Sequence, residues 1–199
     1  MQRSAAIPRL AVVLAAAGLL SPASGPAQIK PACAAGKTGK PAALTAREAW
    51  DLARDRARAW QADAVPFEVT TTSLGPLDGQ GRSTDWSLKF SSEKAKAVDM
   101  ISITDGQITC YAVGGAGGRV IEKLDQVTFD SKALYDEAQK AGGSKVGAGA
   151  KVMAGLEQNR PGGDTDWYLN YQNAAGKEVL SVVIDARTGK VRNVFPAGK

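Results

Sequence analysis

The chain has 199 residues, with 25 Lys and Arg against 20 Asp and Glu, two Cys, no His and a formal charge of +5. Charge this close to balance excludes a dedicated nucleic-acid binder, which needs a clustered basic face, and the missing histidine excludes a cysteine nucleophile activated by imidazole. The length suits one ordinary domain or two small ones with a real core.

The N-terminus reads as a secretory signal peptide over residues 1–27. Arg3 and Arg9 give a positive start, "LAVVLAAAGLL" is an uninterrupted apolar run, and Gly25 and Ala27 are placed for cleavage after Ala27. The run is too short for a spanning helix, which needs about 20 residues, and "IKPAC" lacks the residues a lipidation signal places before its cysteine. Removal takes two of the 25 basic residues and none of the 20 acidic ones, leaving 23 against 20, or +3. The expected location is periplasmic or secreted. No stretch of the mature chain is apolar enough to be an integral membrane segment.

Residues 28–43 have no periodicity and read as a flexible leader. Two cysteines in an exported chain suggest one disulfide, Cys33 with Cys110, stapling the leader to a first repeat; the alternative is intermolecular pairing. That repeat is expected over 44–113. Thr45 and Glu48 in "TARE" form a capping box, and Trp50, Ala53, Ala57 and Trp60 then make one apolar stripe on a helix. Strands come next in "FEVTTTS" and "WSLKFSS", where Trp86, Leu88 and Phe90 share one face and Ser87, Lys89 and Ser91 the other. "VDMISIT", the hairpin signal Asp105-Gly106 and "QITCYAV" complete the unit. Alternation is poor in "VDMISIT", so its faces are not assigned.

Residues 114–129 form a connection with room for a strand. A second repeat then occupies 130–199. Asp130 caps a helix "SKALYDEAQKA" ending at Gly142-Gly143, and "KVMAGLEQ", "WYLNYQN", "EVLSVVID" and "VRNVF" read as strands. "TDWSLKF" returns as "TDWYLNY", with Trp167, Leu169 and Tyr171 in the places of Trp86, Leu88 and Phe90. The expected fold is α+β: two tandem repeats, each a helix packed on an antiparallel sheet of about four strands.

A helix followed by Trp-x-Leu-x-aromatic, a hairpin, a hydrophobic-x-hydrophobic-Asp strand and "TGKV" resembles the PepSY domain. The resemblance is clearest in "DWYLNYQNAAGKEVLSVVIDARTGKV", including the turn from Asp185 to Gly189; in the first repeat Asp105-Gly106 replaces the longer turn. It implies an exported or membrane-attached module without catalytic residues, of a kind found in the propeptides of secreted metallopeptidases, where it restrains the peptidase. This chain departs from that setting in having neither a peptidase domain nor membrane helices.

Other motifs have plainer readings. Ser91-x-x-Lys94 and Lys37-Thr38-Gly39 match serine–lysine acyl-enzyme motifs, but that chemistry needs the serine at a helix N-terminus, and here it ends a strand. The glycines of 114–118 and 142–151 lack the Gly-Lys-Ser/Thr ending of a phosphate loop and read as linkers. Asp164 and Asp166 do not have calcium-loop spacing, and Asp51 and Asp55 stand among arginines as a solvated helix face. The four tryptophans, Trp50, Trp60, Trp86 and Trp167, read as core before ligand platforms. No catalytic residue, metal or cofactor is expected.

The candidate partner-binding face is the polar side of the repeated strand: Ser87, Lys89 and Ser91 with Tyr168, Asn170 and Gln172, of which Tyr and Asn suit recognition. The expected function is a non-catalytic module binding an exported protein or peptide, with an exported peptidase as one target. The alternatives are a structural or accessory envelope protein, favoured by a fully covered sheet, and a small-ligand carrier, favoured by a pocket holding Trp and carboxylates.

Overall fold

The computed structural model describes residues 33–115, 117–118, 120–158 and 163–196. The expected signal peptide, the leader before Cys33 and part of the "NRPGGD" turn lie outside the described residues.

Among the described residues nine strands form one antiparallel sheet: β1 (Gly36–Lys37), β2 (Val65–Thr71), β3 (Asp85–Ser92), β4 (Ala97–Thr104), β5 (Gln107–Gly114), β6 (Lys151–Gln158), β7 (Thr165–Gln172), β8 (Glu178–Asp185) and β9 (Val191–Pro196). Their spatial order is β1-β5-β4-β3-β2-β6-β7-β8-β9. Two helices, α1 (Ala46–Trp60) and α2 (Ser131–Lys140), lie on one face, α1 against β3 and β4 and α2 against β7 and β8.

This corrects the expectation of two tandem repeats, each a helix on its own sheet of about four strands. Helix-then-four-strands does recur along the chain, but β2 and β6 pair directly through Val69↔Leu156 and Thr70↔Gly155. The sheets fuse, leaving a sheet-dominated α+β protein. Side chains reinforce the seam: Ala154 N–H donates to Thr71 Oγ1 at 2.9 Å, and Thr70 Oγ1 donates to the Ala154 carbonyl at 3.0 Å.

The core is also single. Trp50 of α1 stacks on Phe90 of β3 and on Phe129, with centroids 5.8 and 5.1 Å away, and Phe129 meets Trp167 edge-on at 5.9 Å. This aromatic series crosses from one half to the other, and offset or edge-on pairs add to what burial alone contributes. The helix starts meet as well: Ser131 Oγ of α2 accepts from Ala46 N–H of α1 at 3.0 Å. Gly81, at φ +68, lies so close to α2 that a Cβ would sit 2.5 Å from Lys132 N, so the turn of the first half docks on the second.

Local signals account for the elements themselves. Both halves of the Thr45–Glu48 capping box are present, Asp130 caps α2 through Ala133 N–H, and three residues of the expected α1 stripe, Trp50, Ala53 and Ala57, are buried together with Ala46 and Ala49, whereas Trp60 is only partly covered. The connection holds a 3₁₀ turn at Leu124–Gln126 rather than a strand. The expected leader contributes β1, which pairs Gly36↔Ile108 and Lys37↔Gln107.

Candidate binding surface

The sheet face opposite the helices is where the repeated strands bring their polar side chains. Register makes a continuous rung across eight strands: Thr109, Ser102, Ser87, Thr70, Gly155, Tyr168, Val183 and Asn193. Strand spacing of about 4.8 Å puts Ser87 and Tyr168 roughly 14 Å apart, with β2 and β6 between them. No described helix packs on this face, and Gly155 leaves the middle of the rung without a side chain.

All six expected residues lie on this face and are partly exposed, but they differ in freedom. Lys89 Nζ is paired with Glu68 at 2.8 Å. Asn170 Oδ1 accepts from Ser181 Oγ at 2.7 Å, which orients its amide. Ser91 lies under Gly117 of the connection, so that end of the face is roofed. Ser87 and Tyr168 share the central rung; Gln172 lies at the β7 end opposite Lys151.

Sequence reasoning missed several neighbours. Tyr111, 54% exposed, and Met100 continue the row of Lys89 and Glu68 across β5 and β4, and Phe195, 55% exposed, lies beside Ser181 on β9. Counting back from the Asp105-Gly106 hairpin would have assigned the β4 face despite its poor alternation, since a two-residue turn fixes register.

One end of the face is charged. Arg192 holds Asp164 at 2.6 Å and the buried Asp166 at 2.9 Å, and also pairs with Asp185. Burial alone would raise Asp185, but the amides of Thr188 and Arg187, with Arg192, hold its carboxyl below the usual range. The Asp164 and Asp166 pair is therefore an arginine clamp, and among the described residues no group of three or more His, Cys, Asp or Glu is placed for a metal.

On the other side of the molecule, a groove of about 980 Å³ runs between α1 and the segment after Cys33, lined by Trp60, Leu52, Ala59, Arg56, Asp51 and Asp55 among others. Trp60 thus differs from Trp50, Trp86 and Trp167, which are buried. Arg56 donates to the Ala34 carbonyl across the groove.

Cys33 and Cys110 form a disulfide with Cα atoms 5.4 Å apart, as bridged cysteines require. Such a bond belongs to an oxidising compartment, and the protein is an exported one. No described helix is long and apolar enough to cross a membrane.

Among solved structures, the chain is similar to a "putative lipoprotein" of Clostridium difficile 630, at 9% identity and TM-score 0.48, covering 76% of this chain and 92% of that one. No family model and no curated protein matches the chain.

Proposed function

We propose that this exported protein is a non-catalytic module that binds another protein or a peptide across the open face of its sheet. The observation that supports it is the rung of residues running from Thr109 to Asn193, on which no described helix packs and to which both halves contribute, its positions exposed or partly exposed except for the buried Val183. Hydroxyls, amides and partly exposed aromatic groups on a rigid sheet offer hydrogen bonds and contact area without ordering cost, as recognition surfaces do. An uncovered face also weighs against a purely structural role. The hairpin that resembles PepSY, with Tyr168 and Asn170 on it, makes an exported peptidase the first partner to test.

A small-ligand role has its own support in the α1 groove, whose lining includes Trp60, Asp51 and Asp55.

The test immobilises the exported protein and offers it the periplasmic and medium proteins of its source, alongside Lys89→Glu and Tyr168→Ala variants of unchanged circular dichroism. Retention of one protein by wild type and its loss from both variants is the expected result. Equal retention by all three removes this face from the proposal, and a ligand that quenches Trp60 fluorescence would transfer it to the groove.

A further inference from the structure

Under α1 the sheet carries a carboxylate that the fold does not need. Asp99 of β4 is 0% exposed, stands between Phe90 and Ala112 on the helix-covered face, and has no hydrogen-bond partner for either oxygen among the described residues. A buried polar group left in this state is costly, and a charged one more so.

The second half supplies the internal comparison. Phe90 corresponds to Tyr171 through the repeated strand, and the residues paired with them are Asp99 and Leu180. Leu180 is buried too. The same place in the same architecture is thus filled by an aliphatic side chain in one half and an acid in the other, so packing does not call for the acid.

Nor does a charge partner. On α1, Arg54 is paired with Asp51 and Asp55, and Arg56 donates to the Ala34 carbonyl. Beyond α1, Asp63 accepts from the Lys94 amide and Ser92 Oγ, which hold its carboxyl low against a smaller opposing effect of desolvation. Lys89 of β3 is on the far face with Glu68, β5 contributes uncharged Ala112 and the disulfide-bonded Cys110, and neither Arg58, Lys94 nor Lys96 reaches Asp99.

We infer that Asp99 makes the docking of α1 on the first half of the sheet sensitive to pH: closed when the carboxyl is protonated, prone to local opening when it is ionised. Burial alone pushes the folded-state carboxyl up to about 6, whereas in an opened chain it titrates near the ordinary value of about 3.9. Below that value both states are protonated and Asp99 has no effect. As pH rises the open state ionises first, and above about 6 the closed state carries a buried charge. Stability at this place is therefore greatest in acid and falls across that window. An elevation of about two units corresponds to an opening constant that grows on the order of 100-fold.

Amide hydrogen exchange of the full exported chain tests this, followed in α1 and β4 from about pH 4 to about pH 8 and corrected for intrinsic exchange, beside Asp99→Asn and Asp99→Leu. Wild type is expected to show opening constants for the last two turns of α1 that grow on the order of 100-fold over that range, while both variants stay flat and are better protected at the alkaline end. Leucine is the apolar residue that the twin position holds, as Leu180 opposite Tyr171, so Asp99→Leu keeps the comparison available if the Asn variant fails to fold. A rise in Asp99→Leu equal to the wild-type rise overturns the inference, as does weaker protection of Asp99→Leu than of wild type at the alkaline end.

Discussion

Trp86 and Trp167 have two jobs each. Both are 0% exposed, and each indole donates to a carbonyl just ahead of a helix: Trp86 Nε1 to Leu44 at 3.0 Å and Trp167 Nε1 to Thr128 at 2.9 Å. The core role was legible, because Trp-x-Leu-x-aromatic can bury only one face of a strand. The indole bond was not, since Leu44 lies 42 residues before Trp86 and no local pattern points to it. Trp86→Phe removes the indole donor, leaves the Leu44 carbonyl with the Ser83 N–H alone and reduces the packed volume; the expected loss is about 1–3 kcal/mol, read by urea unfolding. Trp167→Phe should lose a similar amount, whereas Trp60→Phe, at the edge of the α1 groove, should stay within about 0.5 kcal/mol. Equal losses at all three would mean that aromatic bulk, and not the indole bond, is what the sheet requires. Tyr171 illustrates a different limit. Its buried hydroxyl abuts Gly143, so Gly142-Gly143, read in sequence as a helix stop, is there also because a side chain at 143 would collide with that ring.

At the scale of elements, local chemistry was the legible part. "TARE" identified the start of α1, and the structure adds what it serves: Glu48 caps Thr45 N–H at 3.0 Å and pairs with Arg82 at 3.1 Å. The Thr45 amide first, then its hydroxyl and Arg82, hold the Glu48 carboxyl below the usual range against desolvation. That stabilisation is present above the ordinary glutamate value and is lost as acid protonates the group, opposite in sign to the effect of Asp99. Thr45→Ala is expected to cost about 1 kcal/mol. Ser131→Ala should cost about 1–3 kcal/mol although it changes α2, because the orphaned donor, Ala46 N–H, belongs to α1. Chemical denaturation of both variants checks this, and a Ser131→Ala loss below that of Thr45→Ala would show that the cross-helix cap is dispensable. What sequence could not supply was the partner of each outer strand. "FEVTTTS" and "KVMAGLEQ" read correctly as strands, but nothing in their periodicity says that they pair with each other over two residue pairs instead of edging separate sheets.

For the whole molecule, fusion of the sheet and the shared aromatic series make the two halves interdependent. Phe129 is the link: it contacts Trp50 on one side and Trp167 on the other, is 1% exposed, and has Arg47 over its ring at 4.9 Å. Phe129→Ala is expected to cost about 3–5 kcal/mol, the range for a buried aromatic truncation. The wild-type chain should unfold in one transition, with near-ultraviolet circular dichroism, far-ultraviolet circular dichroism and tryptophan fluorescence coincident; separate transitions would show that the halves fold independently. The disulfide acts on the same balance from the unfolded side. It joins residues 77 apart in sequence, so it restricts a long loop in the denatured chain and holds the two-residue β1 against β5. Replacing both Cys33 and Cys110 by alanine should lower stability by about 2–4 kcal/mol, less than simple loop entropy gives if the denatured chain is already compact. The same change frees the outer edge of β5, a strand with Tyr111 exposed, and an unprotected edge pairs readily with another chain. The double variant should therefore show concentration-dependent association by analytical ultracentrifugation where the disulfide-bonded protein does not. If the variant keeps the wild-type midpoint and sedimentation, the strap neither stabilises the fold nor guards its edge, and β1 alone suffices.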